Sequence, residues 1–289
     1  MDRNLPIGIF DSGVGGLTVY RALHERLPDE RFVYLGDTAR VPYGTKSLAT
    51  VERYAIENSR FLAARGIKLL VVACNTASAL ALPAIRQAVP VEVIGVIEPG
   101  ARSAVQLARG KPIGVIATEA TAQSKAYARA IGRIDPAAEV IERACPLFVA
   151  LAEEGWAETN IARLVAEQYL SDFRKSDVSA LVLGCTHYPI LRGAISQTLG
   201  VEVVLIDSGE ATASEVQSVL ESRGLSRALR QKQRAGSRNQ ERQLCDALDH
   251  FYVTDAAQRF AKVAERFLGA APSVLEAVEI WGHDELRTY

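Results

Sequence analysis

The chain is 289 residues long, 48% hydrophobic and 23% charged, with a net charge of −1. That length suits one large or two ordinary globular domains, and a charge so near zero supplies no field to draw in nucleic acid or an anionic membrane. No apolar run reaches the ~20 residues of a membrane span, and the opening MDRNLPIGIFDSG carries no signal-peptide pattern, so the expected location is cytoplasmic.

Short apolar runs alternate with amphipathic stretches from one end to the other. The runs are LPIGIF (5–10), FVYLG (32–36), KLLVVA (68–73), VEVIGV (91–96), PIGVIA (112–117), AEVIERA (138–144), SALVLG (179–184), VEVVLI (201–206) and HFYVT (250–254). Several are nearly continuous Val, Ile and Leu, as in strands covered on both faces. Between the second and third runs, residues 47–66 place Leu48, Val51, Tyr54, Ala55, Phe61 and Leu62 on one side at helical spacing, with Gly66 as the stop. Residues 159–176 repeat the pattern with Ile161, Leu164, Val165, Gln168, Tyr169 and Phe173. Strand and helix in alternation give an α/β fold with mostly parallel sheets.

The two halves resemble each other. IGIFDSG (7–13) is similar to IGVIATE (113–119), and LLVVACNTAS (69–78) to ALVLGCTHYP (180–189). Ile7 and Cys74 are 67 positions apart, and Ile113 and Cys185 are 72 apart. Two related, pseudo-symmetric domains follow, each offering a cysteine at the carboxyl end of a strand, where ligands bind in open α/β sheets. Near the end of the chain, residues 222–242 hold seven basic residues and one acid with few apolar ones. They read as a solvated surface connection.

The four cysteines (74, 145, 185, 245) form no CxxC pair and no zinc-ribbon spacing, and in a reducing compartment they are thiols. A lone buried thiol is most often a small apolar residue; position is what distinguishes two of these. Cys74 closes an apolar run, and Asn75, Thr76 and Ser78 open the next helix, whose free N–H groups and positive dipole end favour thiolate. Cys185 ends the equivalent run, followed by Thr186, His187 and, at a position suited to a first helical turn, Pro189. A metal held by Cys185 and His187 would lack further ligands. In FDSGVGGLTV (10–19) the glycines fall at 13, 15 and 16, which is neither GxGxxG nor a P-loop. Its backbone N–H groups can face an anion, and Asp11 and Ser12 either face the cleft or cap the helix. Two thiols in equivalent places match a racemase without a cofactor: a planar carbanion loses its proton on one face and regains it on the other.

Taken together, FDSGVGGLTV, GDTARVPYG (36–44), ACNTAS, CPLFVALAEEG (145–155) and GCTHYP resemble the bacterial glutamate racemase family, in order from Ile7 to about Asp207 and again over 251–269. The resemblance implies two flavodoxin-like domains facing each other across a buried site, with no pyridoxal phosphate, metal or nucleotide. It makes Cys74 the base for D-glutamate and Cys185 the base for L-glutamate. Asp11 assists Cys74, His187 assists Cys185, and Glu153 is a further acidic helper whose place Glu154 can also take. Substrate contacts carry over to Ser12, Pro42, Tyr43, Gly44, Asn75, Thr76, Thr118, Thr121 and Thr186, while Asp37 lies in a matching motif without an assigned role. The expected division is 1–97 plus 208–268, 98–207, the connection 222–242 and a C-terminal tail over 269–289. The implied partner is glutamate, with a homodimer left open and the product feeding peptidoglycan synthesis. An aspartate racemase and a non-catalytic small-molecule binding module are the alternatives.

Overall fold

The computed structural model describes residues 2–227 and 242–280. Among these, the strands form two sheets in which every neighbouring pair is parallel. The larger contains β1 (Ile7–Asp11), β2 (Phe32–Gly36), β3 (Leu69–Val72), β4 (Glu92–Gly95), β9 (His250–Val253) and β10 (Leu275–Ala277), in the order β10-β9-β2-β1-β3-β4. The smaller contains β5 (Ile113–Ala117), β6 (Val140–Ala144), β7 (Ala180–Gly184) and β8 (Val204–Asp207), in the order β6-β5-β7-β8. The orders 2-1-3-4 and 6-5-7-8 superimpose, so the repeat seen in sequence is a repeat of topology. Strands β1, β2, β3, β5 and β7 are buried at every residue. Their Val, Ile and Leu side chains each contribute ~1.5–3 kcal/mol by leaving water. Parallel neighbours require crossovers, and the helices that provide them cover both faces.

The helix over 47–66 forms as α2 (Leu48–Ala63), where Ser47 Oγ accepts from Thr50 N at 3.4 Å. The chain leaves it through Gly66 at φ 72°, a conformation that suits a residue without Cβ. Leu48, in the first turn of α2, is 56% exposed and does not join the buried stripe. The buried face of α9 (Asn160–Leu170) also differs from the spacing argument: it is Ala162, Ala166 and Leu170, while Ile161 and Leu164 are exposed. The reason is close packing, because α9 lies against α10 (Arg192–Leu199) and small residues let the two backbones approach. Residues beyond 269 do not form a free tail over their described part, since Leu275–Ala277 pairs with Phe251–Val253 and extends the larger sheet. The basic stretch 222–242 lies mostly outside the described residues. No helix among the described residues is long and apolar enough to cross a membrane.

Among the described residues, several helices join the halves. α11 (Ser208–Ser222) packs on both α1 (Leu17–Arg26) and α5 (Ile97–Ala108). α12 (Ala257–Leu268) buries Phe260, Val263, Ala264, Phe267 and Leu268 on one face. Its other face carries Arg259 and Arg266, which reach across to Glu153 of α8 (Leu147–Glu154).

Candidate active site

The carboxyl ends of β1 and β3 in one sheet and of β5 and β7 in the other deliver the sequence-predicted residues to one place. Cys74 follows β3 and caps α3 (Asn75–Leu80), its sulfur accepting from Ala77 N at 3.5 Å and lying 3.5 Å from Ser12 Oγ. Both contacts favour a sulfur anion, but burial outweighs them. Burial, with the Asp11 carboxylate and more weakly the Cys185 sulfur, pushes the Cys74 thiol up to about 12. Asp11 is fully buried at the end of β1; its Oδ2 accepts from Gly13 N at 2.9 Å, and its Oδ1 has no hydrogen-bond partner. Burial raises its pKa, opposed by the nearby His187 charge and by backbone N–H groups of the glycine turn.

In the other half, Cys185 Sγ lies 3.8 Å from His187 Nδ1, and His187 Nε2 lies 3.1 Å from Glu153 Oε1. Arg259 Nη2 closes the chain at 3.3 Å from Glu153 Oε2, and Arg266 donates to the Glu153 carbonyl at 2.7 Å. Burial alone would lower the His187 pKa. The Cys185 sulfur and the Glu153 carboxylate reverse that and push it up to about 10, so a cation stands beside the sulfur at neutral pH. The Glu153 carboxyl is held below its ordinary range, first by the His187 hydrogen bond and despite burial. Glu154, the alternative helper, is largely exposed and meets Arg259 at 3.9 Å, so Glu153 is the one against His187. Pro189 does fall in a first helical turn, but the helix after Cys185 is a 3-10 turn over Tyr188–Leu191, and α10 begins only at Arg192. The helix-dipole argument applies to Cys74 alone.

The expected substrate-contact residues bridge the halves. Thr76 Oγ1 lies 3.0 Å from Thr118 Oγ1 and 3.2 Å from Thr121 Oγ1, and these last two are 3.0 Å apart. Thr18 Oγ1 donates to the Thr186 carbonyl at 2.8 Å. Close approach explains two glycines. A Cβ at Gly15 would overlap Thr186 and His187, and one at Gly44 would lie 2.8 Å from Thr118 Cβ. Gly15 of the glycine-rich turn therefore serves contact between the halves. Asn75 Oδ1 accepts from Tyr127 Oη at 2.7 Å, leaving Nδ2 buried without a partner. Pro42 is exposed and Tyr43 buried. The Tyr43 hydroxyl donates to Asp37 Oδ2 and accepts from Asn58 Nδ2 at 3.0 Å. Asp37 also accepts from Arg40 Nε at 2.8 Å, from Asn58 Nδ2 at 3.2 Å and from Thr254 Oγ1 at 2.9 Å, so it anchors the 40–44 segment.

Sequence reasoning missed Arg259, Arg266, Tyr127, Arg40 and Asn58. Each is a partner of a predicted residue: Arg40 lies inside the GDTARVPYG motif, three positions from Asp37, and the others come from elements distant or unremarkable in sequence. No group of three or more His, Cys, Asp or Glu among the described residues is arranged to hold a metal ion.

The family model described as Asp/Glu/Hydantoin racemase matches residues 7–216. The glutamate racemase of Geobacter metallireducens is 53% identical over 263 residues, covering 91% of this chain and 92% of that protein. The crystal structure of a glutamate racemase isoform from Bacillus anthracis superimposes with a TM-score of 0.86 at 36% identity, covering 96% of this chain and 98% of that one. The Francisella tularensis glutamate racemase, solved in complex with D-glutamate, superimposes with a TM-score of 0.84 at 39% identity over the same shares. The chain belongs to the Asp/Glu/hydantoin racemase family.

Proposed function

We propose that this chain interconverts L- and D-glutamate by two-base proton transfer at Cα, with Cys74 and Cys185 on opposite faces of the substrate. The observation that carries this reading is the pair of buried thiols ending equivalent strands of two like sheets, each with its own acid–base neighbour. From L-glutamate, the Cys185 sulfur takes the α-proton, forming S–H as C–H breaks. The Cys74 thiol then gives its proton to the opposite face, and D-glutamate leaves. The reverse direction exchanges the roles. Thiols suit the task because they ordinarily titrate near ~8.5, within reach of neutrality in either form.

The remaining residues hold and bias this exchange. His187, backed by Glu153, supports negative charge at Cys185, and Asp11 serves the Cys74 side. Ser12, Asn75, Thr76, Thr118, Thr121, Thr186 and the Pro42–Gly44 segment bind the substrate and exclude water. The units that close on it are 1–97 with 208–268 and 98–207. The chain acts in the cytoplasm and supplies D-glutamate for peptidoglycan. The test is circular dichroism of each glutamate enantiomer with protein alone: both signals decay to zero on this reading, and two unchanging signals would reject it. The same assay with aspartate separates the two amino-acid specificities.

A further inference from the structure

Tyr127 is fully buried on α7 (Ala126–Ile134), yet it touches the neighbour of each thiol. Its hydroxyl donates to Oδ1 of Asn75, the residue after Cys74, at 2.7 Å. Its ring lies against Gly184, the residue before Cys185, where a Cβ would stand 3.0 Å from Tyr127 Cε2. Burial raises the Tyr127 pKa, so the hydroxyl stays protonated and donates. An amide whose oxygen is engaged has a fixed sense, and the atom left over is Nδ2, buried and without a partner. A buried donor with no acceptor is costly in a folded protein, so a group that brings an acceptor to it is favoured there.

We infer that Tyr127 is a positioning residue: it locks the Asn75 amide so that Nδ2 is kept for a carboxylate of the substrate. The lock acts before chemistry. Without it the amide can flip and present Oδ1, which repels a carboxylate. The inference rests on the racemase reading, and the test separates the two. Wild-type protein that racemises neither enantiomer defeats that reading; wild-type turnover with an indifferent Tyr127 defeats this inference.

The experiment measures KM and kcat for both enantiomers in Tyr127→Phe, Asn75→Ala and the double variant. Phenylalanine keeps the ring against Gly184 and removes only the donor. Loss of an oriented hydrogen bond to a charged group should raise KM about tenfold with kcat within about threefold. A residue acting only through Asn75 adds nothing once that amide is gone, so the double variant should match Asn75→Ala. An unchanged KM in Tyr127→Phe overturns the inference, as does an effect that persists in full in the Asn75→Ala background. Should Tyr127→Phe not fold, Asn75→Asp tests the Nδ2–carboxylate contact on which the inference depends. It keeps an acceptor for Tyr127 but replaces the free donor with an acceptor, so KM should rise at least tenfold with the melting temperature held. Wild-type KM there overturns the inference.

Discussion

The Cys74 and Cys185 corners occupy matching places in two like sheets, yet their chemical surroundings are opposite in sign. Cys74 caps a helix and has Ser12 and Ala77 N as neighbours, but burial and the Asp11 carboxylate push its thiol up to about 12. Cys185 has no helix end behind it; it has His187, whose pKa is pushed up to about 10, with Glu153 and Arg259 behind that. The resting site therefore holds a neutral thiol on one side and a cation beside the sulfur on the other. A repeat of topology fixes where the two sulfurs stand. Non-equivalent side chains fix what stands beside each. The two enantiomers have equal free energy, so kcat/KM is equal in both directions for every variant, and this asymmetry shows in kcat and KM taken separately and in partial reactions.

Removing either thiol breaks the comparison outright. Cys74→Ser and Cys185→Ser should each lower racemisation by at least ~10²–10⁴-fold, the contribution of a positioned acid–base group. Near-wild-type circular dichroism decay in either variant would remove the two-thiol mechanism. His187→Asn takes away the cation and leaves a hydrogen-bonding group of similar size, so turnover should fall by about 10²-fold, at the low end of that range. A loss under about threefold would show that the charge beside Cys185 is incidental.

Asp37→Ala leaves Arg40, Tyr43, Asn58 and Thr254 without their shared acceptor. Denaturant unfolding should show a loss of ~3–5 kcal/mol, as for a broken buried ion pair, and KM should rise as the 40–44 segment loosens. A loss below about 1 kcal/mol, the size of an exposed pair, would contradict that anchoring role.

Glu153→Gln is subtler. His187 has a folded pKa raised above its ordinary 6.5, so the stability from its proton is complete below about 6.5 and lost as pH rises through about 10. Glu153 is one cause of that rise, so its neutralisation lowers the His187 pKa. The alkaline limb of the stability and rate profiles should then move to lower pH. An unmoved limb would assign it to another group. The smallest expected effect is none: dialysis against a chelator should leave the rate unchanged, and activity restored only by added metal would sink the cofactor-free mechanism.

Much of this was legible in the chain itself, for physical reasons that differ by element. Strands β1, β3, β5 and β7 are unbroken apolar runs because both faces are covered, and that pattern announces them. The cysteines stood out because each ends such a run. Strand β10 is only Leu275–Ala277, too short for a period, and exists through its pairing with β9. The buried stripe of α9 was misread because Ile161 and Leu164 are more apolar than Ala162 and Ala166, whereas the contact with α10 selects for size. Arg259 and Arg266 lie about a hundred positions from Glu153, so nothing local in the sequence pairs them with it. Tyr127 looks like one more core aromatic until its hydroxyl is traced to Asn75.

The facial assignment of the two thiols is tested most directly by elimination from a glutamate analogue bearing a leaving group on the β-carbon, followed in the two cysteine variants. Proton removal on one face suffices for that reaction, so each variant reports its surviving base. Cys185→Ser should eliminate from the D analogue, where Cys74 acts, and Cys74→Ser from the L analogue. Two variants that favour the same enantiomer would contradict the placement of Cys74 and Cys185 on opposite faces.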